Sequence, residues 1–355
     1  MNARFAVIGA GNGGQAMAAH LTLLGFPVSL YDIDSRKIQL LREKGSIIAT
    51  GQIAGTAQIS KITSDLRDAV AGCDAIFVVT TTDQHVSVAK DLIPFIKDEQ
   101  AVVLCPGQTG GAIIVRNVFA EAGKSPLIAE TQDLIYTCRA PVIGQVLISA
   151  LKKHMELAAF SKAEFDAVIE KIGVAYPQMK QAKSVLHTGF NNMGAVLHPA
   201  PMLMNAGRIE CREHFLYYWE GITPSVALCL EQIDAERLAV AHAYGVDALS
   251  LREWIRGAYG IEADSLYEVF QKNPSYGKVQ ASTTLDDRYL TEDVPCGLVP
   301  LAELGRLAGV CMPLTESVIE LACSLLHRDF RAEGRTLKAL GLENCTVSEI
   351  KKRYL

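Results

Sequence analysis

Three groups of residues in this 355-residue chain have the types and spacing to do chemistry. The first is Gly9-Ala10-Gly11-Asn12-Gly13-Gly14, a Gly-x-Gly-x-x-Gly run placed directly after Phe5-Ala6-Val7-Ile8. The first glycine of such a run permits a tight turn. The second lets a pyrophosphate lie against bare backbone, and the third lets a helix pack close to a strand. Ala16, Met17, Leu21 and Leu24 follow at helical spacing, so the phosphates would meet a helix N-terminus. Val28 to Tyr31 then suggests a strand ending at Asp32, roughly twenty residues beyond the glycines, where a carboxylate accepts the ribose hydroxyls of NAD. The bland alternative is a structural turn followed by an unrelated acid. Ser35 and Arg36 can hold a 2′-phosphate, whereas Asp32 would repel it, which favours NAD and leaves NADP as the alternative.

The second group is Asn191-Asn192 through His198-Pro199-Ala200-Pro201. A histidine ahead of two prolines sits where a helix must break or begin, and imidazole titrates near neutrality, which suits acid–base work. A buried or capping histidine reads equally well. The third group is Asp286-Asp287-Arg288-Tyr289-Leu290-Thr291-Glu292-Asp293-Val294-Pro295. Arginine can grip a carboxylate through two parallel hydrogen bonds. An aspartate can fix the tautomer of a histidine. The alternative is a solvated acidic loop, and nothing in the spacing brings Asp293 to His198.

These residues need elements to position them. The glycine run and Asp32 fall in a strand–helix–strand unit, and the alternation continues. A helix through Ile38 and Leu41 is followed by short strands at 47–50 and 59–62 and a short helix at 65–71. The apolar run 75–80 reads as a buried parallel strand ending in Thr80-Thr81-Thr82-Asp83, with Asp83 as the N-cap of the next helix. Strands at 101–105 and 127–130 flank a further helix. The loops after Thr80 and Cys105 should line the nicotinamide side of the cofactor. Segments 139–144 and 146–148 suggest antiparallel strands. From about residue 185 the pattern is helical, with helices expected at 215–219, 225–244, 250–258, 265–271, 300–307 and 314–326. The fold class is therefore α/β: an N-terminal Rossmann-type doubly wound parallel sheet over 1–180, and a mostly α-helical substrate domain over 181–355.

Composition narrows the class. With 49% hydrophobic and 21% charged residues the chain is an ordinary globular sequence, long enough for two domains. A net charge of −5 gives no basic footprint, which speaks against nucleic acid. No apolar run approaches the roughly 18 residues of a membrane span. The apolar N-terminal run is expected to be a strand and not a signal segment. Nine cysteines without a Cys-x-x-Cys pair suggest reduced thiols, no metal site and a cytoplasmic protein.

At this point the chain resembles the octopine/nopaline (opine) dehydrogenases over nearly its whole length. The likeness rests on the glycine run, Leu197-His198-Pro199 after the paired asparagines, and Tyr217-Tyr218-Trp219-Glu220-Gly221-Ile222-Thr223-Pro224-Ser225-Val226. It also rests on Ile233-Asp234-x-Glu236-Arg237 and on Arg288 to Pro295, whose arginine-to-aspartate spacing is the most specific feature. The resemblance implies NAD(P)H-dependent reductive condensation of an amino acid with a 2-oxo acid through an imine. His198 would be the acid–base residue, Asp293 its partner and Arg288 the carboxylate binder. Gly9, Ala10, Gly11, Asn12, Gly13, Gly14, Asp32, Arg36 and Thr80 would bind NAD, or NADP. It further implies a C-terminal domain like that of 6-phosphogluconate dehydrogenase, and a homodimer is expected. Trp219, Tyr217, Tyr218 and Arg212 are candidates for lining the substrate pocket, with core packing as the competing reading. Two alternatives stay open: a reductase of an oxo acid alone, like the ketopantoate reductases, with Lys180 or Lys183 as the catalytic lysine, and a dinucleotide-binding sensor without catalysis.

Overall fold

In the computed structural model, which describes residues 3–355, Phe5–Ile8 forms strand β1 with all four side chains buried. The other strands are β2 (Val28–Tyr31), β3 (Ile47–Gly51), β4 (Gly55–Ala57), β5 (Lys61–Thr63), β6 (Ala75–Val78), β7 (Ala101–Leu104), β8 (Leu127–Thr131), β9 (Tyr136–Val142), β10 (Gln145–Leu151), β11 (Met155–Ala159) and β12 (Met179–Gln181). Helices α1 (Asn12–Leu23), α2 (Ser35–Lys44), α3 (Leu66–Val70), α4 (His85–Leu92), α5 (Gly111–Glu121) and α6 (Lys162–Ile172) accompany them. Eight strands make one sheet in the order β12-β11-β8-β7-β6-β1-β2-β5, parallel except where β11 runs against β8. The chain winds outward from β1 through β2, then returns to the other side at β6. The crevice beyond the carboxyl ends of β1 and β6 is therefore the switch point where a doubly wound sheet binds its ligand.

A second sheet, β4-β3-β10-β9, combines the expected antiparallel pair at 136–151 with β3 and β4. Helix α1 touches β1 and β2 of the first sheet and all four strands of the second. Residues Gly13 to Leu21 of α1 are consequently buried all round, and the helix has little polar face. Strands β4, β11 and β12 had no counterpart in the sequence reading. Two local expectations fail. Asp83 does not cap α4: it lies inside a 3₁₀ turn, Thr82–Gln84, that leads into the helix, and its carboxylate takes the Gln84 amide instead. The segment 215–219 is a turn and not a helix, because its backbone pairs with residues 279–281.

The chain divides into two compact units, one ending at Thr188 and the other running Gly189–Leu355. The division falls within α7 (Val185–Phe190). The second unit contains α8 (Met193–Leu197), α9 (Pro199–Met204), α10 (Ala206–Glu210), α11 (Pro224–Ala243), α12 (Leu251–Tyr259), α13 (Leu266–Lys272), α14 (Arg288–Thr291), a π-helical turn (Val294–Leu298), α15 (Val299–Leu307), α16 (Pro313–Leu326), α17 (Phe330–Glu333) and α18 (Val347–Tyr354). Its central element is α11. Thr223 caps it, Pro224 opens it, and Val226, Leu230, Ile233, Arg237, Val240 and Ala241 recur on its buried side. Each fully buried aliphatic side chain here contributes about 1.5–3 kcal/mol against exposure. Among the described residues no helix is long and apolar enough to cross a membrane.

Candidate functional site

The glycine run forms the connection between β1 and α1. Gly9 has φ +102°, a conformation L side chains rarely adopt, and a Cβ there would come 3.1 Å from Thr80 Cγ2 and Val79 O, which follow β6. A Cβ on Gly14 would come 1.6 Å from Gly9 O, so the helix lies on the turn itself. A Cβ on Gly11 would meet nothing within 4 Å, which leaves its backbone open to an incoming group. No side chain caps the N-terminus of α1 and its first turn carries no acid, so its N–H groups are available to an anion. Thr80 Oγ1 is buried without a hydrogen-bond partner in the same crevice. An unpaired buried hydroxyl, an uncapped helix and an open glycine together fit a dinucleotide phosphate.

The remaining predicted cofactor residues fall into place unevenly. The Asn12 side chain is turned away: its Oδ1 accepts from Ala140 N of β9 at 2.8 Å, leaving its backbone for the cofactor. Gly13 packs against Leu134 and Val79. Asp32, 7% exposed, accepts from Ala10 N (2.7 Å) and Lys37 Nζ (2.9 Å) on Oδ2 and from Asp34 N (2.9 Å) on Oδ1. Lys37 offsets the charge that was expected to repel a 2′-phosphate, and Arg36 is exposed beside it. The sequence reading missed Lys37, although its position within a turn of Asp32 could have suggested it. Another missed residue is Glu130, fully buried at the end of β8. It accepts from Ala112 N at the start of α5 (2.8 Å) and from Thr188 Oγ1 (2.5 Å). A Cβ on Gly107 would come 2.0 Å from its carboxylate, which explains the glycine after β7.

The second and third groups meet within the helical unit. Asn192 caps α8 through Ala195 N, α8 ends at His198, and Pro199 begins α9. His198 thus stands at a joint between two short helices, with its backbone carbonyl accepting from the Tyr217 hydroxyl at 2.6 Å. Asp286 to Pro295 is not a solvated loop. Asp287 caps α14 through Tyr289 N, and Glu292 and Asp293 are buried, 4% and 1% exposed. Asp293 Oδ2 lies 2.7 Å from His198 Nδ1. A carboxylate only accepts, so the proton of the neutral ring sits on Nδ1 and the lone pair on Nε2. The Tyr289 ring stacks on the imidazole, centroids 3.9 Å apart and planes within 5°. A Cβ on Gly194 would come 2.9 Å from Asp293 Oδ1, so the approach of α8 to Asp293 depends on that glycine.

Arg288 stands one turn before Glu292, with Nη1 3.6 Å from Oε2 and half of its side chain exposed. Its guanidinium lies 5.1 Å from the centre of the Tyr289 ring. Burial would lower its pKa, but the Asp293 and Glu292 carboxylates outweigh that and raise it, so the group stays cationic. An exposed cation next to the tyrosine that stacks on the imidazole offers a carboxylate site, and an imidazole oriented by a buried acid can move a proton. Of the pocket candidates, Tyr217 and Tyr218 touch His198, Tyr218 through its hydroxyl at 3.3 Å from Nε2. Trp219 packs instead: its indole N–H donates to Phe270 O, and a Cβ on Gly277 would strike its ring. Arg212 occupies an exposed left-handed turn. Lys180 and Lys183 are exposed, on and just after β12. The Asp234–Arg237 motif is structural. Asp234 takes Arg237 and Leu251 N, Arg237 reaches the carbonyls of Phe190 and Leu249, and Glu236 caps α16 through Leu314 N and Thr315 N.

Comparison with known proteins bears on the fold and the family. Residues 181–326 match the family model of the NAD/NADP octopine/nopaline dehydrogenase alpha-helical domain. Residues 4–110 match the NAD binding domain of 6-phosphogluconate dehydrogenase. The chain is 42% identical to the opine dehydrogenase of Arthrobacter sp. (strain 1C) over 98% of its own length and 97% of the relative's. A solved octopine dehydrogenase with NADH and L-arginine shares the fold, with a TM-score of 0.81, 20% identity and 98% of each chain covered. A ketopantoate reductase from Ralstonia eutropha JMP134 is a more distant fold neighbour, with a TM-score of 0.65, 14% identity and 91% of this chain and 98% of that one covered. The chain therefore belongs to the octopine/nopaline dehydrogenase family, NAD(P)-dependent oxidoreductases that act on the CH–NH bond of opines.

Proposed function

We propose that this opine dehydrogenase condenses an amino acid with a 2-oxo acid at the His198–Asp293–Arg288 cluster. The observation that carries the assignment is the 2.7 Å contact between His198 Nδ1 and Asp293 Oδ2 beside a charged, half-exposed Arg288. Arg288 binds the oxo acid through its carboxylate and so fixes where the keto carbon lies. His198 Nε2 takes a proton from the ammonium group, freeing the amine to attack that carbon. A second amine proton passes to the new alkoxide, His198 returns its own proton to that hydroxyl as it departs, and water leaves the protonated imine. Asp293 holds the ring in the tautomer that presents Nε2 and stabilises the imidazolium between the two steps. NADH or NADPH, bound by the Gly9–Gly14 turn, Asp32, Arg36 and Thr80, supplies the hydride that reduces the imine. Lys37 beside Asp32 supports use of either cofactor.

The test measures NADH oxidation with pyruvate alone and then with pyruvate plus a panel of amino acids. Oxidation that requires both partners is the expected result. Activity on the oxo acid alone would move the chain to the reductase reading, and none with any partner to the sensor reading. His198→Ala should lower kcat by about 10²–10⁴-fold while NADH binding, followed by fluorescence titration, stays unchanged; wild-type turnover would remove His198 from the role. The exposed leucines of the second unit, Leu228, Leu321 and Leu325, support a homodimer, and the free cysteines support a cytoplasmic location. Sedimentation and cell fractionation test these two points.

A further inference from the structure

Asp293 accounts for one nitrogen of the His198 ring; the other nitrogen, the one proposed to exchange protons with substrate, faces Tyr218. The Tyr218 hydroxyl lies 3.3 Å from Nε2. Its ring is 5% exposed and held between neighbours: stacked on Tyr276 at 4.2 Å, edge-on to Tyr217 at 5.0 Å. The hydroxyl therefore cannot swing to solvent without unpacking a cluster of aromatic rings. We propose that Tyr218 is a positioning residue of the reaction, whose hydroxyl holds His198 Nε2 in line through both protonation states of the ring.

The chemistry of a phenol suits that role. When Nε2 carries a lone pair, the hydroxyl donates to it. When Nε2 has taken a proton, the phenol oxygen accepts from the N–H instead. Nε2 offers one in-plane position, so the hydroxyl gives way while substrate exchanges the proton and re-forms its hydrogen bond, with its hydrogen rotated, once the ring has changed state; no bond to carbon forms or breaks at Tyr218. A carboxylate in its place could not donate to the lone pair, and a lysine could not accept from the N–H. Burial, followed by the neighbouring Tyr289, Tyr276 and Tyr217, holds the Tyr218 hydroxyl well above the usual tyrosine range, so it remains protonated throughout. Tyr289 covers one face of the imidazole and Asp293 its Nδ1 edge, so Tyr218 is the contact that fixes how the Nε2 edge is aimed.

The proposal rests on His198 being the proton-transfer residue, and its test separates the two. Tyr218→Phe keeps the ring and its stacking and removes only the oxygen. It should lower kcat about threefold to tenfold in both reaction directions, the worth of one hydrogen bond. KM for NADH, oxo acid and amino acid should stay within about twofold. In ¹⁵N spectra of the unliganded protein, the His198 Nε2 resonance should move toward that of a lone pair without a donor. Placing 3-fluorotyrosine at position 218 restores the hydroxyl and should restore kcat. An unchanged kcat, an unmoved Nε2 resonance, or a loss that fluorotyrosine fails to rescue overturns the proposal. If His198→Ala itself turns over normally, the reading of the site fails first; if His198→Ala is inactive while Tyr218→Phe is wild-type, only the role of Tyr218 falls.

Discussion

Arg288 shows how a single side chain is tuned by its position. It emerges at the first position of α14, where Asp287 caps the turn below it, and reaches past the Tyr289 ring toward Glu292. Two buried carboxylates keep it charged, and half of it remains open to a ligand. A lysine would keep the charge and lose the planar fork that meets a carboxylate with two parallel bonds. We therefore expect Arg288→Lys to raise KM for the 2-oxo acid about tenfold, roughly one charge-assisted hydrogen bond, with little change in KM for NADH. Steady-state kinetics with the oxo acid varied would check this, and an unaltered KM would place carboxylate binding elsewhere. At this scale the sequence was informative where chemistry restricts residue type. His198 ahead of two prolines and Arg288 to Asp293 stood out because neither suits plain helical packing. Tyr218 and Lys37 did not, because a tyrosine in an aromatic cluster and a lysine on a helix each have an ordinary explanation. Only distances to His198 and Asp32 distinguish them.

At the scale of elements, the helix α8 and the π-helical turn after Asp293 are pressed together by small residues. Gly194 adjoins Asp293, and Gly297 packs against Ala195, where a Cβ would lie 2.6 Å from the alanine methyl. In Gly194→Ala two effects oppose. Alanine is favoured over glycine in a helix by about 1 kcal/mol, while forcing the Asp293 carboxylate aside costs about 1–3 kcal/mol. The net loss of stability should be about 0–2 kcal/mol, measured by urea unfolding, yet kcat should fall markedly because Asp293 is what moves. A normal kcat in a destabilised variant would mean that Asp293 tolerates displacement.

Helix α1 offers a different test. His20 on its buried face is hydrogen-bonded to Tyr136 (3.0 Å), which bonds Tyr176 (2.7 Å). Burial lowers the His20 pKa below its ordinary 6.5. Between pH 6.5 and that lowered value the unfolded chain binds a proton the folded chain resists, so stability falls as the pH drops through this window. In His20→Gln, which cannot titrate, the slope of Tm against pH should flatten between pH 7 and 5. An unchanged slope would assign the acid loss to other groups. The sequence marked α1 as a helix but not its burial all round, which depends on a second sheet assembled from strands as distant as β3 and β10.

Across the whole molecule, the alternation of strands and helices up to β8 and the helical second half were legible, because buried parallel strands and amphipathic helices write clear periodicities. Strands β4, β11 and β12 were not: β4 and β12 have three residues each, and β11 reverses direction beside β8. The turn at 215–219 was misjudged because its aromatic residues pair with a segment sixty or so positions later, a distance that local patterns do not encode. The distribution of histidines across the chain carries one more consequence. His154, His214, His242 and His327 are exposed, while His198 is shielded on both nitrogens and one face, with 14% of its side chain accessible. A reagent such as diethyl pyrocarbonate, which acylates neutral imidazole, will therefore spend itself on the surface first. Carbethoxylation followed by absorbance should show several histidines modified before turnover declines, and a lag of that kind would measure how well the tyrosines guard the ring. Loss of activity in step with the earliest modification would mean that His198 is far more open in solution than its neighbours allow.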